Sequence, residues 1–128
     1  MVYHIQVEWK VDFYEEPGGR APVEDFLDSL AIEARAKALA IIRLLSSHGT
    51  NLPFPFSSQA AGRIRELRTQ YGKDKIRILY FADPRRVFVL LHGFVKRTAK
   101  LERSDLAIAE ARMARHNQQL SKREKHRE

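Results

Sequence analysis

Residues 63–100 read RIRELRTQYGKDKIRILYFADPRRVFVLLHGFVKRTAK. Three apolar segments, near 63–69, 75–82 and 86–95, are separated only by Gly72-Lys73-Asp74 and Asp83-Pro84-Arg85. Connections this short join antiparallel neighbours, because a parallel return needs a dozen residues or more. The run therefore commits this part of the chain to a β-meander. It is also laced with cations: Arg68, Arg77, Lys96 and Arg97. A strand can hide Ile, Leu, Val and Phe, whereas an arginine needs water or an anion beside it. A sheet with one basic face follows, and a phosphodiester backbone is its natural partner.

Alternation sorts the side chains. Ile64, Glu66 and Arg68 share one face of their strand, and Arg77 falls with Leu79 and Phe81, opposite Ile76, Ile78 and Tyr80. If Arg68 and Arg77 share the open face, two guanidiniums can converge in a shallow cleft. Their planar forks suit phosphate oxygens and stay charged. Lys96 and Arg97 follow where the third segment runs out, within reach of a rim. Arg65, Tyr71, Lys73, Lys75 and Lys100 complete the candidate RNA contacts. Cations interleaved with aromatic rings are what a single-stranded RNA site needs, since bases stack while cations take phosphates. Glu66 is equally a candidate ion-pair partner across strands. His92 reads either as a hydrogen-bonded structural histidine or as a general base.

The chain carries a net charge of +7, unevenly spread. Residues 63–77 hold six cations against two acids, and residues 96–128 ten against five. Such asymmetry favours an anionic partner. The 128 residues suffice for one domain, expected over 1–120, with 121–128 a charged and frayed tail. Without cysteine, neither a disulfide nor a thiolate metal site can form. The start, MVYHIQVEWKVDF, alternates instead of forming a signal peptide, and no apolar stretch approaches a membrane span. A cytoplasmic location is expected.

Upstream of the meander, alternation over Val2–Trp9 predicts a strand. Pro22 suits the first position of a helix, with Glu24 and Asp25 in its first turn. A second helix is expected from Ile32 to His48 with Leu39, Ile42 and Leu45 in its apolar stripe, stopped by Gly49. Residues 50–62, with Pro53 and Pro55, read as a loop anchored by Leu52, Phe54 and Phe56. Ser104 caps a last helix carrying Leu106, Ala109, Met113 and Leu120. The expected fold is α+β: a small, mostly antiparallel four-stranded sheet in the order β-α-α-β-β-β-α, with helices packed on one face.

Other chemistries lack their residues. The five histidines show no metal-ligand spacing, and no glycine-rich phosphate loop, GxSxG or CxxC occurs. No cofactor is expected. One reaction suits Arg, Lys, Tyr and His without a metal, namely ribonucleolysis by the RNA's own 2′-hydroxyl, giving a 2′,3′-cyclic phosphate. The protein then only orients the chain, stabilises the phosphorane and moves protons.

At these residues the sequence resembles the RelE/ParE toxin superfamily, specifically phage-related HigB-like toxins of type II toxin–antitoxin systems. The likeness runs through Glu66-Leu67-Arg68, Ile76-Arg77-Ile78-Leu79-Tyr80 and Leu90-Leu91-His92-Gly93-Phe94-Val95-Lys96-Arg97-Thr98, with Pro22–Leu27 as the start of a helical hairpin. The resemblance implies an mRNA interferase, an endoribonuclease acting in the ribosomal A site. It also implies a cognate HigA-like helix-turn-helix antitoxin. Carried over by position, Arg68 and Arg77 would hold the scissile phosphate, and Lys96, Arg97 and Lys100 would bind RNA or transfer protons. The family usually has two lysines where this chain has Lys96-Arg97. Two alternatives stand beside this reading: a ParE-like gyrase poison, and a non-catalytic nucleic-acid or protein-binding phage remnant.

Overall fold

The computed structural model describes residues 8–125. Their elements run β1 (Val11–Phe13), α1 (Pro22–Ser29), α2 (Ile32–His48), a 3₁₀ turn (Gly49–Asn51), β2 (Ser57–Ala61), β3 (Ile64–Tyr71), β4 (Asp74–Ala82), β5 (Phe88–Lys96) and α3 (Arg103–Lys125). They form one α+β fold around a mixed sheet of strand order β1-β5-β4-β3-β2.

The meander forms as its turns dictate, with β3, β4 and β5 antiparallel in sequence. Three expectations need correcting. The sheet has five strands among the described residues, not four, because Ser57–Ala61 pairs antiparallel with β3. Its sequence, SSQAA, lacks the branched and aromatic residues that mark strands, so pairing rather than propensity makes it one. Ser57 contributes a buried hydroxyl 2.7 Å from the Tyr80 hydroxyl, which ties this edge strand to the core. Second, the sheet is mixed, because β1 runs parallel to β5. The strand expected at Val2–Trp9 lies outside the described residues up to position 7, and Glu8 and Trp9 are not in a strand.

Third, helices cover both faces rather than one. On the first face α1 and α2 pack Val23, Leu27, Ala38, Ile41 and Leu45 over Leu67, Ile76, Ile78, Tyr80 and Leu90. On the second, α3 lays Leu106, Ala109 and Met113 over Ile64, Leu79, Phe81, Val89 and Leu91. Double coverage explains why Ile76–Phe81 and Phe88–Leu91 are buried without interruption.

Helix α2 has the bounds its sequence predicts, but its inward stripe is Ala34, Ala38, Ile41 and Leu45, whereas Leu39 is exposed. Small alanines let the helix approach the sheet closely, and bulkier Leu39 is turned outward. Gly49 ends the helix at φ +57°, and a side chain there would strike the Trp9 ring. Ser104 is the second residue of α3 rather than its cap, and the helix continues to Lys125, past the boundary expected at 120. The last tail residues, 126–128, lie outside the described part. A buried Asp83 joins α3 to the β4–β5 turn: its carboxylate accepts from Arg85 Nε at 3.0 Å, Arg85 NH2 at 2.6 Å and His116 Nε2 at 3.0 Å. Among the described residues, no helix is long and apolar enough to cross a membrane.

Candidate nucleic-acid interface

Strand register arranges the polar side chains of the second sheet face in rows. Glu66 stands opposite Leu79 and Leu79 opposite His92; Arg68 opposite Arg77 and Arg77 opposite Phe94; Gln70 opposite Lys75 and Lys75 opposite Lys96. Helix α3 covers the apolar part of this face, next to Leu79 and Phe81. The row nearest the β3–β4 turn, Gln70, Lys75 and Lys96, carries no apolar side chain, whereas the Arg68–Arg77 row still meets the α3 core through Phe94.

Two like charges directly opposite each other repel. Glu66 compensates from the neighbouring row, its Oε1 lying 3.1 Å from Arg68 NH1 and 3.6 Å from Arg77 Nε. The first contact is a charge-assisted hydrogen bond; the second is an ion pair too long to be one, and Arg77 Nε has no hydrogen-bond partner. The two arginines differ in access. Arg77 is buried, only 5% exposed, and its NH1 donates to the carbonyls of Thr69 and Ile76, each at 3.0 Å. Arg68 keeps 27% of its side chain exposed. Burial, and then repulsion from Arg68, push the Arg77 guanidinium below its ordinary pKa, against the attraction of Glu66. Arg77 is thus an inner charge fixed to the backbone, not the open-face arginine that alternation alone implied.

Arg68 is also held from above. Its guanidinium lies 5.4 Å from the centre of the Phe54 ring, and its backbone N–H donates to the Phe56 carbonyl at 2.9 Å. His92 is fixed by α3: Nε2 lies 2.7 Å from Asp105 Oδ1, and its ring stacks on Phe94 with centroids 5.4 Å apart. Where β5 ends, Phe94, Lys96, Arg97, Lys100, Glu102 and Asp105 line a cleft of about 210 Å³.

The structure therefore brings Arg68, Arg77, Lys75, Lys96 and His92 onto one face, with Arg97 and Lys100 at its margin. Other candidates lie elsewhere. Arg65 and Tyr71 alternate to the opposite face with Leu67, and Arg65 is engaged by Ser57 Oγ at 3.1 Å and Gln59 Oε1 at 3.2 Å. They do not join the arginine row because odd and even positions of one strand cannot share a face. Lys73 sits in the β3–β4 turn. Sequence reasoning misses two neighbours in this role: Phe54, which reads as a loop anchor, and Asp105. No periodicity links either to the meander.

This pattern, an inner and an outer arginine bridged by one carboxylate with one positive charge left over, beside a histidine–aspartate pair and exposed lysines, can receive an anion at its outer edge and move protons beside it. No curated protein matches the chain. A family model described as phage derived protein Gp49-like (DUF891) matches residues 25–114, from within α1 to the middle of α3, and includes every residue of the basic face. The chain belongs to this phage-derived Gp49-like family, which is a RelE/toxin-like family.

Proposed function

We propose that the chain is the HigB-like toxin of a type II toxin–antitoxin pair and cuts mRNA in the ribosomal A site without a metal ion. One observation carries the reading: Arg68 and Arg77 face each other across β3 and β4, one row from Lys75 and Lys96, with Arg68 partly open to solvent and Arg77 buried behind it. A phosphate at Arg68 is an anion placed against two guanidiniums, and charge developing on a phosphorane there gains most from them. Arg68 contacts the non-bridging oxygens, while Arg77 adds positive potential from beneath.

In the cleavage, the 2′-oxygen bonds to phosphorus as the bond from phosphorus to the 5′-oxygen breaks. The products are a 2′,3′-cyclic phosphate and a 5′-hydroxyl. His92 takes the 2′-hydroxyl proton at Nδ1, because Asp105 engages Nε2 and orients the ring. Lys96 gives a proton to the departing 5′-oxygen. Lys75, Arg97 and Lys100 hold the flanking phosphates. Neutralisation falls to a cognate antitoxin of the HigA-like helix-turn-helix kind, as membership of a toxin-like family supports.

Induction of the intact chain in a bacterial host tests the reading. Growth arrest with loss of intact mRNA is expected, and Arg68→Ala abolishes both. Toxicity undiminished in Arg68→Ala refutes the site. Arrest with DNA damage and intact mRNA favours gyrase instead.

A further inference from the structure

Phe54 contributes little to the core. The residue is 70% exposed, against 42% for Phe56 and 41% for Tyr71, and belongs to neither hydrophobic cluster. Its backbone is nevertheless anchored. The Phe56 and Ser57 N–H groups both donate to the Pro53 carbonyl, at 3.0 and 3.1 Å, and the Phe56 carbonyl accepts from Arg68 N. A turn pinned at both ends thus presents an apolar ring to solvent. One face of that ring meets the Arg68 guanidinium. Its other face has no aromatic or cationic neighbour among the described residues.

We propose that Phe54 is a nucleobase-stacking subsite that selects single-stranded RNA at the phosphate held by Arg68. The inference rests on the basic face being an RNA site and names what that face recognises beyond charge. A base and its own phosphate are separated by about the thickness of one sugar, so a base on the outer face of Phe54 leaves its phosphate within reach of Arg68. The stacking surface is available only to an unpaired base, because in a duplex both faces of each base are already occupied. The ring accepts any base, since all have a π-face, and edge hydrogen bonds are not part of the recognition.

The test is fluorescence anisotropy at low salt with the full chain and two labelled probes that cannot be cleaved: 2′-O-methyl hexauridine and the same backbone with every base removed. Phe54→Ala should bind hexauridine about 5- to 150-fold more weakly, the range expected for one lost stacking partner. It should weaken the baseless backbone much less, by only what a less constrained Arg68 loses, and a melting temperature like the parent's reports that the fold is intact. Phe54→Trp should retain the preference for bases, and Phe54→Leu should lose it. Arg68→Ala should weaken both probes. The subsite is overturned if Phe54→Ala binds hexauridine like the parent, weakens both probes equally, or if the parent does not prefer bases. If Arg68→Ala binds both probes like the parent, the phosphate reading itself fails.

Discussion

Substituting Glu66 by Gln tests how the arginine pair is held. Glutamine keeps the length of the side chain and one acceptor for Arg68, and removes only the charge. Glu66 and Arg77 are both buried, each 5% exposed, with Oε1 and Nε 3.6 Å apart. At an effective dielectric of ~20, unit charges at ~3.6 Å attract by about 5 kcal/mol, part of which desolvation offsets. Removing one partner of such a buried pair costs about 3–5 kcal/mol. The lower end applies, because Arg68 is partly in water and its repulsion of Arg77 is screened. Glu66→Gln should therefore lose about 3 kcal/mol in urea denaturation and lower the Tm by about 12 °C for a domain of this size. Replacing Arg77 by Met in the same background removes the orphaned charge, so the double variant should recover at least about 1.5 kcal/mol relative to additive costs. Inorganic phosphate should raise the Tm of Glu66→Gln more than that of the parent, since it supplies at Arg68 the negative charge that the arginine pair has lost. A loss under about 1 kcal/mol, or costs that add within about 0.5 kcal/mol, refutes the bridging role.

Other outcomes follow from the same geometry. Hydrogen bonds from the Arg85 side chain, His116 and the Val87 and Arg85 backbone outweigh burial and hold the Asp83 carboxyl below its ordinary pKa of 3.8. Its stabilisation is then complete above that value and lost as pH falls through the depressed one, so acid melts of the parent below pH ~4 should show a slope that Asp83→Asn lacks. Near pH 7 Asp83→Ala should cost about 1–3 kcal/mol by urea denaturation, because it strips hydrogen bonds from His116 and the Val87 N–H while Arg85 stays partly in water. A Cβ at Gly93 would press into the Phe26 ring of α1, 2.9 Å from its Cγ, so Gly93→Ala should cost about 1–3 kcal/mol by the same measure. His92→Ala should slow cleavage of ribosome-bound mRNA by about 10²–10⁴-fold, and Asp105→Asn by less, with both variants still binding RNA; equal rates for His92→Ala and the parent exclude it as the base.

The meander was legible because its turns and apolar runs act locally: Gly72-Lys73-Asp74 and Asp83-Pro84-Arg85 leave few ways to join three strands. Alternation sorts each strand by itself, so a shared face for Arg68 and Arg77 is only one possibility in the sequence; the register of β3 on β4 decides it. Long-range features were not legible. Ser57–Ala61 becomes a strand only because β3 offers it a free edge, and β1 pairs with β5 across the length of the chain. Burial of Arg77 depends on carbonyls of Thr69 and Ile76 and on how far α3 extends over the sheet, which no spacing encodes. The same holds for Asp105, brought to His92 by the docking of α3. Phe54 looked like a core anchor because proline-flanked aromatics in loops usually pack inward; here the turn at Pro53 points the ring out.

Cleavage of mRNA at Arg68 is tested most directly by mapping 5′ ends on ribosomes after brief induction of the parent chain and of Arg68→Ala. New 5′-hydroxyl ends clustered within A-site codons, present for the parent and absent for Arg68→Ala, are the expected result. An unchanged pattern of ends with growth still arrested, or identical new ends from both chains, would contradict it.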